Sequence, residues 1–392
     1  MRRWRASYRN RRWKQSPFSF KAFNLIGFAR YVTFFVRQYP GRRAVEAGDH
    51  VNQNRRLPAE WELQDGVLMA WPHEQSDWFP YLDQVRPVFA AIVSAISQFE
   101  KVVVAADDPD QVREELQAAG ADLDQVRLLP VETNDTWARD FGPITVLEDG
   151  APRLLNFGFN GWGLKFPSDL DNRINKRLQA LGVWNAPLDT VGLILEGGSI
   201  ESDGKGTILT TEECLMNDNR NPHLTREELE EELHGLFGSD RFLWLSNGYL
   251  AGDDTDSHVD TLARICPDDT IAYVRCDDPE DEHYPALKAM EEEILAFRTR
   301  GGRPYRAIPL PWPAAVYDEE GQRLPATYAN FLVINGAVLV PTYNDSKDAA
   351  ALVAVGEAFP GYEVIGIDCL PLILQHGSLH CVTMQMPKGT LR

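Results

Sequence analysis

A chain of 392 residues with 44% hydrophobic content can bury a large core, as one big domain or two ordinary ones. Its formal charge of −19 is unevenly spread: residues 1–56 hold 14 of the 39 basic residues but two of the 58 acids, leaving the remainder at a formal −31. A body that acidic repels phosphate backbones, which argues against nucleic acid as a partner, and attracts small cations.

Residues 1–56 read as a basic N-terminal extension. An Arg-rich run over 1–14 is followed by an apolar stretch over 18–35, interrupted by Lys21 and Arg30. Those charges make it a poor membrane span, so no stable membrane association is expected. Basic then apolar is also the order of targeting peptides and of surface-lying arms. The favoured reading is a disordered tail, with a cytoplasmic protein; export follows only if the segment is a real signal.

From residue 57 to 392 the chain reads as one catalytic domain without a long linker. Short apolar runs predict strands at 66–71, 101–105, 126–129, 144–146, 207–210, 242–245, 270–274, 337–340 and 363–367. Helical periodicity falls at 81–99, 109–119, 225–237, 284–300 and 347–359. Thr225 followed by Glu228 is a capping box, and Asp345 or Ser346 is placed to cap the last helix. The Pro-rich patch 304–313 reads as a loop. Strands alternating with helices indicate an α/β fold. Neither GxGxxG nor GxxxxGK[ST] occurs, which removes the common nucleotide-binding options.

Five cysteines, Cys214, Cys266, Cys276, Cys369 and Cys381, are scattered and form no CxxC pair. Neither a disulfide framework nor a zinc site is suggested, and the default for each is a small buried hydrophobe.

Four segments set reactive side chains beside turn residues. Asn134–Pro143 holds Asp135, Trp137, Arg139 and Asp140; its bland reading is a surface Arg139–Asp140 ion pair. Leu195–Ser199 puts Glu196 after an apolar run and before two glycines, where the alternative is a solvent-exposed turn. Asp253–Asp260 places His258 and Asp260 two apart, on one face if the segment is extended. That suits an acid/base imidazole beside a carboxylate, or a metal bound by the acidic run, although the EF-hand spacing is missing. Gln375–Gln385 carries His376, His380 and Cys381, the last at the start of an alternating apolar run. Cysteine is the strongest intrinsic nucleophile here once deprotonated.

Taken together these parts suit a guanidinium. It is cationic and planar, so two carboxylates can hold its N–H forks, a thiolate can attack its carbon, and an imidazole can protonate the departing amine. Asp140 and Asp260 are the candidate clamps, Glu196 a further carboxylate, His258 the acid/base and Cys381 the nucleophile. Trp137 and Arg139 are further candidates for substrate contact.

The four segments, in this order, resemble those of the agmatine deiminase family, grouped with the Porphyromonas-type peptidylarginine deiminases in the guanidine-modifying pentein superfamily. Pro58–Trp61, Met69–Pro72, Phe159–Trp162, Leu209–Cys214, Asn217–Pro222, Tyr328–Phe331 and Val340-Pro341 extend the likeness over nearly the whole body. The resemblance implies a five-bladed α/β-propeller of ββαβ-like units around a channel, with a homodimer as a candidate assembly. It implies hydrolysis of agmatine, a small cationic guanidino substrate, to N-carbamoylputrescine and ammonia through an amidino-cysteine on Cys381. It implies no cofactor and no metal, and makes Cys214 structural. The chain has Gln375-His376-Gly-Ser-Leu-His380-Cys381 where many members have Gly-Gly-Asn-Ile-His-Cys, and Ser257 where Gly is common. Deimination of another guanidino compound such as peptidyl-arginine, amidinotransfer, and a non-catalytic metal-binding protein are the alternatives.

Overall fold

The structure, a computed structural model, describes residues 55–392. Expectations for the extension up to residue 54 lie outside the described residues. Arg55 and Arg56, counted with the extension by sequence, pair with the body instead: they lie antiparallel to Leu147 and Glu148, with Arg55 Nη2 2.5 Å from Glu148 Oε1.

Among the described residues, five mixed sheets repeat one pattern: a strand, an antiparallel neighbour, then a parallel partner. They are Ile144–Glu148, Ala151–Gly158 and Leu188–Ile194; Ile200–Ser202, Thr207–Thr211 and Arg241–Leu245; Ala263–Cys266, Thr270–Val274 and Arg306–Leu310; and Leu332–Ile334, Ala337–Thr342 and Glu363–Asp368. The fifth joins the two ends of the body. Met384–Pro387 lies antiparallel to Gln64–Ala70, which continues parallel to Lys101–Ala106 and Val126–Pro130. Parallel partners require a crossover, and helices supply them: Leu82–Ser97 and Pro109–Ala118, Ile174–Ala180, Arg226–Phe237, Tyr284–Ala296 and Asp348–Ala358. The α/β reading holds.

The helices form where pattern and caps agree. Leu82–Ser97 buries Val85, Val88, Phe89, Ile92, Val93 and Ile96, one stripe at helical spacing. Pro109–Ala118 starts on Asp108, whose carboxylate accepts from the amides of Asp110 and Gln111, with Pro109 in the first turn. The Thr225–Glu228 capping box forms as expected. That helix stops at Gly238 (φ 65°), where a Cβ would also lie 1.7 Å from the Arg55 carbonyl oxygen. The helix entered near residue 347 is not capped by Asp345 or Ser346: no side chain caps it, and Asp345 Oδ1 accepts from the Lys347 amide in its own turn.

Two further expectations are corrected. The Pro-rich patch is not all loop, because Arg306–Leu310 forms a strand at a sheet edge, where a missing proline N–H is tolerated. The helix expected over 284–300 ends at Ala296, and Phe297 is already extended. No described helix is long and apolar enough to cross a membrane.

Candidate active site

The reactive side chains come from one recurring place in the fold. Each of the five sheets has a turn just before its first strand, and each turn delivers part of the site. Asp140 sits in the short helix Ala138–Phe141 ahead of Ile144–Glu148. Glu196 precedes the turn Gly197–Ser199 that enters Ile200–Ser202. His258 and Asp260 flank Val259 ahead of Ala263–Cys266, Asn330 precedes Leu332–Ile334, and Cys381 precedes Met384–Pro387.

His258 and Asp260 are therefore not on an extended segment: the chain turns through Val259–Thr261. Their side chains nevertheless converge on Gly198. A Cβ at that glycine would lie 2.6 Å from His258 Nδ1, 3.0 Å from Asp140 Oδ1 and 3.2 Å from Asp260 Oδ2. Only a residue without a side chain lets the three groups approach so closely. The Gly198 amide also donates to Asp140 Oδ1 at 3.1 Å, and Trp162 Nε1 donates to Asp140 Oδ2 at 2.9 Å. His258 Nδ1 is 3.6 Å from Asp140 Oδ1.

Cys381 is held to this cluster through its backbone. Its carbonyl accepts from the Arg139 amide at 3.1 Å, and its Sγ lies 3.4 Å from Asn330 Oδ1. The same Asn330 oxygen accepts from the amides of His380 and Cys381. Cys381 occupies a turn rather than the start of a strand, which begins three residues later. It lines a pocket with Trp137, Asp140, Trp162, Phe166 and His376. Asp77, Asp135, Asp253 and Asp254 also line that pocket, and no Lys or Arg does.

Burial governs the electrostatics. It pushes the Asp140 carboxyl well up, reinforced by Asp260 and Glu196. It pushes the Cys381 thiol well up, with Asp260 and Asp140 adding to the effect. It pushes His258 down to about 3, against the pull of Asp260. Asp260 is the exception: burial acts to raise it, but the His380 hydrogen bond and the charges of its neighbours, Arg264 among them, together hold it below the usual carboxylate range. His380 Nδ1 is 2.7 Å from Asp260 Oδ2, and its Nε2 is 2.8 Å from Glu60 Oε2. Glu60 in turn pairs with Arg264, which also pairs with Glu201.

Both bland readings of the first two segments fail. Arg139 and Asp140 are not a surface pair, being 2% and 4% exposed, and Glu196 is fully buried. Arg139 also departs from its expected role in substrate contact. Its guanidinium turns towards Gln385 and lines a different pocket with Glu60, Glu201 and Met384. Trp137 lines the Cys381 pocket. Glu196 reaches Arg220, whose Nε is 2.8 Å from Glu196 Oε1, and Arg220 also pairs with Asp256 at 2.7 Å. The acidic run 253–260 does not gather around a cation of its own. Asp253 accepts from Thr255 and Ser257, and Asp256 is engaged by Arg220, Lys165 and Asn219.

Sequence reasoning did not single out Gly198, Asn330, Trp162, Arg220 or Glu60. The only signal for them was position inside the quoted segments; what they hold comes from elsewhere in the chain.

A family profile described as Porphyromonas-type peptidyl-arginine deiminase matches residues 56–387. An agmatine deiminase of Pseudomonas syringae pv. tomato is 36% identical over 357 residues, 84% of this chain and 95% of that protein. A crystal structure described as that of a candidate arginine deiminase from Porphyromonas gingivalis superposes with TM-score 0.82 at 49% identity, covering 86% of this chain and all of that one. An agmatine deiminase of C. jejuni, solved with substrate bound, gives TM-score 0.79 at 40% identity over 86% and 97% of the two chains. With a thiol, an imidazole and carboxylates assembled from five sheets and these likenesses over the whole described body, the chain belongs to the Porphyromonas-type peptidyl-arginine deiminase family.

Proposed function

We propose that the chain hydrolyses agmatine to N-carbamoylputrescine and ammonia. The observation that carries agmatine is the pocket lining: Asp77, Asp135, Asp253 and Asp254 accompany Cys381 and Asp140, without a lining Lys or Arg. Agmatine is cationic at both ends, so acids beside the thiol and acids elsewhere along the pocket suit it. Free arginine would bring a carboxylate among those acids with no cation to receive it.

The chemistry follows from the charges. Asp140 and Asp260 hold the guanidinium; burial first, and the two carboxylates second, keep the Cys381 thiol protonated, and the positive charge of the guanidinium offsets both by favouring the thiolate. The thiol proton passes to the neutral His258 imidazole, and the thiolate adds to the guanidinium carbon. The resulting imidazolium protonates the departing amino group, which leaves as ammonia and leaves an amidino-cysteine. His258 then takes a proton from water, the hydroxide adds to the same carbon, and the Cys381 thiolate leaves and recovers that proton from His258. The hydroxyl of the adduct releases its proton to solvent, where ammonia takes it up, and the ureido product forms. Glu196, paired with Arg220, stabilises the imidazolium stage. Asn330 holds the Cys381 turn.

In this reading the five sheets are the blades of an α/β-propeller, each a ββαβ-like unit with its entry turn at a common channel. Residues 57–392 are the catalytic domain, and a homodimer is the expected assembly. A second reading, action on peptidyl-arginine, is favoured by a 50% identical structure described as that of a candidate peptidyl-arginine deiminase.

Incubation of the purified protein with agmatine, free arginine and an arginyl peptide, with ureido product and ammonia measured, tests the assignment. Agmatine turnover well above the other two is the expected result. Turnover of the peptide without agmatine would replace the first reading by the second.

A further inference from the structure

Cys214 takes no part in the reaction just described, yet it sits against the reacting imidazole. It lies in the short helix Glu212–Leu215 that follows the strand Thr207–Thr211, and it is fully buried. Its Sγ, a carboxylate oxygen of Glu196 and a ring nitrogen of His258 lie within 4.8 Å of one another. Glu196 is likewise fully buried, and His258 is 1% exposed. Glu196 Oε1 is taken by Arg220 Nε at 2.8 Å, but Glu196 Oε2 and both ring nitrogens of His258 have no hydrogen-bond partner in the protein. Groups buried this deeply are normally partnered.

Thiolate, imidazole and carboxylate are the ligands that Zn²⁺ takes, at about 2.0–2.3 Å each, so ligand atoms in a tetrahedral site stand roughly 3.2–3.6 Å apart. From separations of up to 4.8 Å, the cluster needs to contract by at most about 1.2–1.6 Å to reach that geometry. We infer that Cys214, His258 and Glu196 form a binding site for a thiophilic divalent cation such as Zn²⁺, and that filling it inhibits the enzyme.

The neighbouring cation does not prevent this. Arg220 Nε approaches Glu196 Oε1, leaving Oε2 for the metal, and Arg220 is itself paired with Asp256. When the thiol loses its proton, Cys214 and Glu196 supply two negative charges against the metal's two positive ones, and Asp256, shared between Arg220 and Lys165, holds Arg220 on its far side. Mg²⁺ and Ca²⁺ prefer all-oxygen shells and gain little from a thiolate and an imidazole. Inhibition follows because a ring nitrogen bound to metal cannot carry the proton that turnover moves. That consequence rests on the acid/base reading of His258; the binding itself does not.

The test uses the purified full chain with its thiols reduced. Agmatine turnover is followed in zinc buffered by a chelator, and Co²⁺ is titrated while the thiolate-to-cobalt charge-transfer absorption is recorded. One metal per chain, loss of turnover that the chelator reverses, and no effect of Mg²⁺ are expected. Cys214→Ala keeps turnover, loses the cobalt band and weakens zinc inhibition by about tenfold or more, a scale that even outer-shell partners of a metal carry. Cys381→Ala has no turnover but keeps the band. Zinc sensitivity unchanged in Cys214→Ala, or a band that depends on Cys381 instead, overturns the proposal. Should Cys214→Ala fail to fold, a zinc-soaked crystal of the unaltered protein decides: an anomalous peak among the three side chains supports the site, and its absence there refutes it. A protein that binds cobalt through Cys214 but never turns over agmatine would sink the proposed substrate and leave the metal site standing.

Discussion

Adding one methyl group at Gly198 should disable the site without unfolding the protein. The new Cβ would stand 2.6 Å from His258 Nδ1, whereas ordinary contact begins at 3.4 Å. The imidazole must therefore retreat by about 0.8 Å, a displacement of the size that lowers rates roughly 100-fold when reacting groups lose their alignment. Asp140 Oδ1 and Asp260 Oδ2, at 3.0 and 3.2 Å, must give way as well. All three side chains are at most 4% exposed, so the surrounding core resists the shift, and overpacking of this kind costs about 1–3 kcal/mol. The backbone itself is not at issue, since Gly198 does not occupy the left-handed region. For Gly198→Ala we expect kcat for agmatine, read from ureido product formation, to fall by about two orders of magnitude. The melting temperature should drop by only a few degrees. A well-folded variant with kcat within about threefold of the parent would show that the three groups need not converge on Gly198 for turnover, and the site geometry argued above would fall.

Asp140→Asn and Asp260→Asn should each lower kcat/KM for agmatine by about 10- to 100-fold or more, since each removes a charge facing the guanidinium; near-normal kinetics in either would contradict the clamp assignment. Asp135, which lines the pocket and accepts from Trp78 Nε1, is pushed up to about 6 chiefly by burial. It is ionised above that pH and neutral below it, so KM for a dicationic substrate should rise as pH falls through about 6, and Asp135→Asn should flatten that part of the profile. Parallel profiles in the two proteins would remove Asp135 from substrate binding. Arg264→Met leaves Glu60 and Glu201 buried without their cation, which should cost about 3–5 kcal/mol in urea denaturation. A loss below about 1 kcal/mol would mean the carboxylates find other partners.

Local signals in the chain were strong where one principle acted alone. The capping box at Thr225, the Pro109 start after Asp108 and the apolar runs of the central strands are all visible in the residues themselves. Ala151–Gly158 is hidden because Pro152, Arg153 and Asn156 break its apolar pattern, and in Leu188–Ile194 Asp189 hides the start, leaving only the apolar run before Glu196 legible. Sheet pairing overrides propensity there. The site divides in the same way. Cys381, His258, Asp140, Asp260 and Glu196 carry reactive groups and stand out by type. Gly198 and Asn330 act by position, one by having no side chain and the other by accepting from a turn, and only the fold brings them in. Arg139 shows the converse: a charged residue next to a clamp, with its guanidinium turned away.

The pairing of Met384–Pro387 with Gln64–Ala70 has a consequence for how the site is assembled. Leu68 and Met384 are register partners although the other four sheets lie between them in the chain, so a very long loop must close before the strand after Cys381 is bonded. The other four entry turns rest on sheets whose strands are neighbours in sequence and close sooner. The thiol is therefore the last reactive group to be fixed in place, and the site cannot act on a guanidine until the two distant strands have met.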